Sequence, residues 1–291
     1  MTRGFLVVDK PKGITSNQVV GEVKSATGIQ KVGHAGTLDP MATGAVVVAV
    51  GNVTRLIKFL QDQPKEYLAT AEFGVATDTL DADGAVLSRE PMDITTGDVE
   101  ALVPRFTGTI SQIPPMVSAL KKDGRRLYEL AREGEVVERD ARSVIVHELE
   151  VISVGVAPYP EVEFRVVCGK GTYVRSLADD MAAALGGSAH LTSLRRTRIG
   201  SLRASRGVTI DDMRNWESYF LSPEEAMEDY EMVEVDAETA RGVRNGVRFL
   251  GGPLLSGPPD QPFGVLDPGG ELIAVYRLVG DRAEPDVVLP S

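Results

Sequence analysis

Gly33-His-Ala-Gly-Thr-Leu-Asp-Pro-Met-Ala-Thr-Gly44 runs without a break into Ala-Val-Val-Val-Ala-Val, residues 45–50. The first part is too rich in glycine and proline for a helix or a regular strand, whereas the second is apolar and β-branched, the composition of a buried strand. Asp39 is thereby placed on a loop anchored by that strand. A carboxylate before proline on a glycine-bounded loop suits exposed chemistry; an ordinary Asx-type turn is the plainer reading of the same residues. His34, five residues earlier, reads locally as a hydrogen-bonded loop histidine.

Toward the N-terminus, residues 5–9 predict a short buried strand, stopped by the turn composition Lys10-Pro11-Lys12-Gly13. A helix follows: Thr15 and Gln18 have capping-box spacing, Val19, Val20 and Val23 mark an apolar stripe, and Gly28 is the stop. Toward the C-terminus, Tyr67, Ala69, Ala71 and Phe73 alternate with Leu68, Thr70 and Glu72 as a strand, and Asp81-Ala-Asp-Gly84 supplies a hairpin-type turn. Residues 113–142, with Pro114-Pro115 and weak periodicity, read as an excursion from the core carrying a short helix near 127–132. Val162, Phe164, Val166 and Cys168 alternate again. Gly169-Lys-Gly171 then turns the chain into a helix striped by Val174, Leu177, Ala178, Met181 and Leu185. Tyr173 and Arg175 fall in its first turn, where backbone N–H groups favour anions. After about residue 230, short apolar runs separated by Gly, Pro and Asp predict a small β-rich C-terminal domain.

The single cysteine, Cys168, makes no internal bridge, which fits a reducing compartment, and the cytoplasm is the expected location. The apolar run at 5–8 meets Asp9 and Lys10 at once, unlike a signal peptide, and residues 45–50 are far too short to span a bilayer. A formal net charge of −11 opposes a polyanionic partner taken alone. Basic residues nonetheless gather at 121–126 (Lys-Lys-Asp-Gly-Arg-Arg) and at Arg195, Arg196, Arg198, Arg203 and Arg206, while acid gathers at 224–236. Such runs are usually solvated faces.

Walker and dinucleotide fingerprints are absent, and His34, His147 and His190 are too dispersed in sequence for a metal motif, so neither cofactor nor metal is expected. Ser118-Ala-Leu-Lys121 has the S-x-x-K spacing of penicillin-recognising enzymes but lacks their companion motifs. Asp78, Asp81 and Asp83 fail the spacing of a calcium loop and read as an acidic turn.

In this order, seven segments resemble the TruB-type tRNA pseudouridine synthase family: Val8-Asp-Lys-Pro-Lys-Gly-Ile-Thr-Ser16, the Gly33–Gly44 run, Lys65-Glu-Tyr67, Thr77-Asp-Thr-Leu-Asp-Ala-Asp-Gly84, Pro114-Pro-Met-Val-Ser-Ala-Leu-Lys121, Gly169-Lys-Gly-Thr-Tyr-Val-Arg175 and Leu194-Arg-Arg196. The resemblance implies an α+β fold. Residues 1–230 would be a catalytic domain with a mixed, mostly antiparallel sheet, flanking helices and an RNA-gripping insertion at 113–142. Residues 231–291 would be a small PUA-like module. It also implies that Asp39 is the catalytic aspartate, Arg175 its ion-pair partner, and Tyr67 the residue that stacks on the target uracil. Tyr173 and Leu194 would line the nucleotide pocket, His34 would hold the rearranged RNA loop, and Lys10 and Pro11 would support the site. Phosphate contacts are expected from Lys121, Lys122, Arg125, Arg126, Arg195 and Arg196.

The implied reaction isomerises the uridine at position 55 in the T arm of tRNA, after flipping it out of the stack. Detaching uracil and rejoining it through carbon needs a carboxylate and a retaining pocket, and no redox centre. The implied partner is tRNA, with no membrane, no guide and no obligatory protein partner. Three competing readings are an RNA-binding protein without chemistry, a guide-dependent synthase inside a protein–RNA assembly, and an unrelated hydrolase with an aspartate nucleophile.

Overall fold

The structure is a computed structural model that describes residues 3–118, 121–122, 124–126, 135 and 137–290, without the side chains of Lys121, Lys122 and Arg126. The short helix expected near 127–132 lies outside the described residues.

Eighteen strands are described: β1 (Gly4–Lys10), β2 (Val32–His34), β3 (Thr43–Val50), β4 (Lys65–Phe73), β5 (Val75–Thr77), β6 (Val86–Arg89), β7 (Gly108–Gln112), β8 (Lys121–Lys122), β9 (Arg125–Arg126), β10 (Arg142–Val154), β11 (Glu161–Cys168), β12 (Ala189–Ile199), β13 (Leu202–Arg203), β14 (Val208–Thr209), β15 (Met232–Glu234), β16 (Phe263–Leu266), β17 (Leu272–Val279) and β18 (Arg282–Val288). The large sheet runs β14-β1-β3-β12-β4-β11-β10-β7, with β2 added to β3 and β13 to β12. Within this sheet, among the described residues, only β1–β14 and β3–β12 pair in parallel. The mixed, mostly antiparallel α+β architecture expected from sequence is therefore observed.

At its centre the sheet is buried on both sides, which is why β1 and β3 read as unbroken apolar runs rather than alternating ones. Leu6, Val8, Val46 and Val48 face one cluster, with Val19 and Val23 of the helix Ser16–Thr27 and Leu177 and Met181 of the helix Val174–Ala184. Phe5, Val7, Ala45, Val47 and Ala49 face another, shared with Phe59, Leu60, Leu272, Val275 and Val287. The first helix has the capping box Thr15/Gln18 at its start and Gly28 in the left-handed conformation at its end; a cap of this kind is worth about 1 kcal/mol.

The four-stranded sheet β15-β16-β17-β18 begins at Met232. The helix Ala237–Arg244 closes a third cluster against it through Ala240 and Val243, with Phe263 and Tyr276. Its other side enters the cluster it shares with β1 and β3, so the two sheets are joined by apolar packing. No helix among the described residues is long and apolar enough to cross a membrane.

Candidate active site

The loop after β2 carries Asp39, and its backbone is held residue by residue. Ala35 N–H donates to Val47 O at 2.8 Å. The Arg196 guanidinium donates to Gly36 O at 3.2 Å and Thr37 O at 3.3 Å. Ser16 Oγ donates to Leu38 O (3.1 Å) and accepts from Leu38 N–H (2.8 Å). Ala42 N–H caps Asp39 O at 3.1 Å, and Pro40 O accepts from Gly13 N–H at 2.8 Å and from Lys10 Nζ at 3.2 Å. Leu38, Met41 and Ala42 are buried beneath it. The carboxylate thus rides on a loop with little freedom left to lose.

Gly44 fixes the loop's exit. Its φ of +103° suits glycine, and a Cβ there would lie 2.2 Å from Arg196 O, because β3 and β12 meet there in register. A side chain fits neither the backbone nor the space.

Arg175, 3% exposed, approaches from the helix Val174–Ala184. Its Nη2 lies 2.9 Å from Asp39 Oδ2 and donates to Val117 O at 2.8 Å. Its Nη1 lies 3.2 Å from Asp81 Oδ2 and donates to Thr79 O at 2.8 Å. A buried guanidinium tolerates desolvation only when so paired. Asp81 lies in the acidic turn expected from sequence, between β5 and β6, yet it is only 5% exposed. Burial raises its carboxyl pKa, opposed by the Thr79 hydroxyl and the Arg175 charge. Leu80, beside it, holds a left-handed φ of +61°, so the turn is bent to bring the carboxylate inward.

A cleft of about 650 Å³ opens in front of this pair, lined by Asp39, Tyr67, Tyr173, Arg175, Leu194 and Arg196 among others. Burial pushes the phenols of Tyr67 and Tyr173 upward, opposed by the charges of Arg196 and Arg175 respectively. Both therefore stand as neutral rings at neutral pH. Tyr173 is fixed through its backbone: the buried Gln112 side chain accepts from Tyr173 N–H (2.8 Å) and donates to Tyr173 O (3.0 Å), a role that nothing in the sequence pattern announced.

Lys65 also lines the cleft unanticipated, although its i, i+2 relation to Tyr67 on one strand puts both on the same face. Burial, reinforced by the Arg196 charge, lowers its pKa from 10.5 to about 8. Among the described residues, no group of three His, Cys, Asp or Glu side chains could hold a metal ion.

Several expected roles change on inspection. Arg196 is not placed to hold phosphate: it is 1% exposed and its donors are taken by backbone carbonyls. Arg195, the next residue on β12, points the other way and forks onto Asp9 at 2.8 and 3.0 Å, so its charge is already met. Lys10 is fully buried and donates to Pro11 O, Ile14 O and Pro40 O, a loop brace and not a substrate contact. Burial lowers its pKa to about 8, with Asp39 opposing and Arg196 adding. His34 is not among the residues lining the cleft; its Nδ1 accepts from Gly36 N–H at 3.3 Å and burial lowers its pKa. Arg125 is exposed on the hairpin β8–β9, 4.0 Å from Glu135. The side chains of Lys121, Lys122 and Arg126 lie outside the described residues.

Residues 24–174 match the family model described as TruB family pseudouridylate synthase (N terminal domain), and residues 175–230 match the tRNA pseudouridylate synthase B C-terminal domain. A protein of Thermobifida fusca named tRNA pseudouridine synthase B is 40% identical, covering 99% of both chains. One of the same name from Ectopseudomonas mendocina is 38% identical, over 96% of this chain and 92% of its own. Among solved structures, a chain from the crystal structure of a Cbf5-Nop10-Gar1 complex superimposes with a TM-score of 0.74 at 25% identity, over 98% of this chain and 84% of that one. An ion-paired aspartate at an aromatic-walled cleft and full-length sequence similarity agree, and the chain belongs to the TruB family of pseudouridylate synthases.

Proposed function

We propose that this chain, acting alone in the cytoplasm without a guide RNA, isomerises uridine to pseudouridine at position 55 in the T arm of tRNA, with Asp39 as the indispensable carboxylate. Relatives named tRNA pseudouridine synthase B, similar over nearly their whole length, support the substrate. The observation that carries the catalytic reading is the Asp39–Arg175 pair at 2.9 Å, with the carboxylate 35% exposed to the cleft and the arginine buried behind it.

The reaction breaks the bond from N1 to the ribose and forms one from C5. The C5 proton leaves and N1 gains one, so no oxidant or reductant enters. The detached base has to be kept and turned, which a walled cleft of this size allows. Extruding the uridine costs a few kcal/mol, and stacking on the Tyr67 ring returns about 1 to 3 kcal/mol. Asp39, its geometry set by Arg175 and the braced loop, attacks or deprotonates on the opposite side of the nucleotide.

Four basic residues, Lys121, Lys122, Arg125 and Arg126, belong to the hairpin β8–β9 of the insertion, and their charge would meet the RNA backbone that an acidic protein must hold. Pseudouridine mapping on an unmodified tRNA transcript incubated with the purified chain tests the assignment. Product at position 55 alone, without added RNA, is expected; no product, or product only with a guide RNA, contradicts it.

A further inference from the structure

Arg196 is the largest fully buried side chain among the described residues, and it lies in the wall of the cleft. An arginine at that depth is costly unless its donors are met. They are met by backbone carbonyls. Nε donates to Ala45 O at 2.7 Å, Nη1 to Thr37 O at 3.3 Å and Nη2 to Gly36 O at 3.2 Å, all on the segment that carries Asp39 into β3. Across the β4–β12 pair, Tyr67 is the residue directly opposite Arg196, both line the cleft, and the guanidinium charge opposes the upward push of burial on the phenol. Gly44, the opposite neighbour in β3, leaves room for the Arg196 backbone to come in.

One planar group therefore holds the loop that presents the carboxylate and stands on the strand position facing the residue on which the base would lie. A lysine could supply the charge but not three donors in one fixed plane. We propose that Arg196 is a positioning residue for the isomerisation, holding the Asp39 loop and the Tyr67 ring in one fixed relation across the cleft. This rests on the functional reading given above.

The test uses the full chain and a tRNA transcript, in single-turnover reactions at saturating enzyme, with rates referred to the folded fraction of each variant. RNA affinity is measured separately by filter binding. Arg196→Lys is expected to lower the rate on the order of 10²-fold while affinity stays within about threefold, the mark of misplaced reacting groups. In a Tyr67→Phe background the same substitution is expected to cost much less, since the two act as a unit. Arg196→Gln, should the lysine variant not fold, is expected to show the same division between rate and affinity. A rate per folded molecule like that of wild type, a loss carried wholly by affinity, or multiplicative effects with Tyr67→Phe would each overturn the proposal. Inactive wild-type protein overturns the functional reading as well; active wild type with an unaffected Arg196→Lys overturns the positioning role alone.

Discussion

Arg175 reaches Asp39 at 2.9 Å from a position that is itself almost sealed, with 3% of the arginine side chain and 35% of the aspartate side chain exposed. The buried cation is held by several partners, and the partly exposed carboxylate lies against it. Asp81, Thr79 O and Val117 O complete the fixing, so the orientation of Asp39 depends on residues that do not touch the cleft.

Asp81→Asn is expected to keep the fold but weaken it by about 3 kcal/mol, because one anionic partner of a buried guanidinium is lost while an amide oxygen remains. Denaturant unfolding measures the loss, and single-turnover assays should show a slower rate at unchanged RNA affinity. Stability within experimental error of wild type would mean that Asp39 alone balances Arg175.

Ser16→Ala removes the hydroxyl that serves both the N–H and the carbonyl of Leu38. Two backbone groups next to Asp39 are then left unmet, at a cost of about 1 to 3 kcal/mol. Faster amide exchange at Leu38, with the helix Ser16–Thr27 otherwise unchanged, is the expected signature. Unaltered exchange would show that the loop is held by its other contacts.

Gly44→Ala has to adopt a φ of +103° and bring a Cβ to 2.2 Å from Arg196 O. Backbone strain alone costs about 1 to 3 kcal/mol, and the clash adds to it by separating β3 from β12. Thermal unfolding should shift down markedly; a variant as stable as the parent would refute the close approach.

Lys10 is expected to make the rate pH-dependent, alongside Lys65 in the cleft wall, whose pKa burial also lowers to about 8. With the Lys10 pKa lowered by burial from 10.5 to about 8, Nζ loses a proton as the pH rises through about 8 and can no longer serve three carbonyls, among them Pro40 O. Activity is expected to decline above that pH. Stability moves the other way. Between about 8 and 10.5 the unfolded chain holds the Lys10 proton and the folded chain does not, so folding gains from this group as the pH rises. Single-turnover rates and denaturant midpoints over that range separate the two effects; a flat rate profile would remove Lys10 from the brace.

What the sequence made legible was whatever a local pattern encodes. The run at 45–50 is a strand, the Thr15/Gln18 box starts a helix, and the loop between them presents Asp39, because composition and spacing act within a few residues. Tyr67 and Arg175 came from family resemblance, not from periodicity. Facing was not legible. Arg195 and Arg196 are adjacent and chemically alike, yet alternation on β12 turns one onto Asp9 and the other into the core, and only the tertiary packing says which. The turn at Asp81 was legible but its burial was not, because its partner Arg175 lies 94 positions away in the chain, a relation no local window contains. Gln112 was invisible for the same reason: its partner is the backbone of Tyr173.

The most direct measurement is release of tritium from a tRNA transcript labelled at uridine C5, comparing wild-type protein with Asp39→Asn and adding no cofactor. Release by wild type of about one label per tRNA for a single-site reaction, abolished in Asp39→Asn and by replacing the T-loop uridine, is the expected result. Equal release by both proteins would contradict the role of Asp39, and release by neither, with both still binding the tRNA, would contradict the catalysis itself.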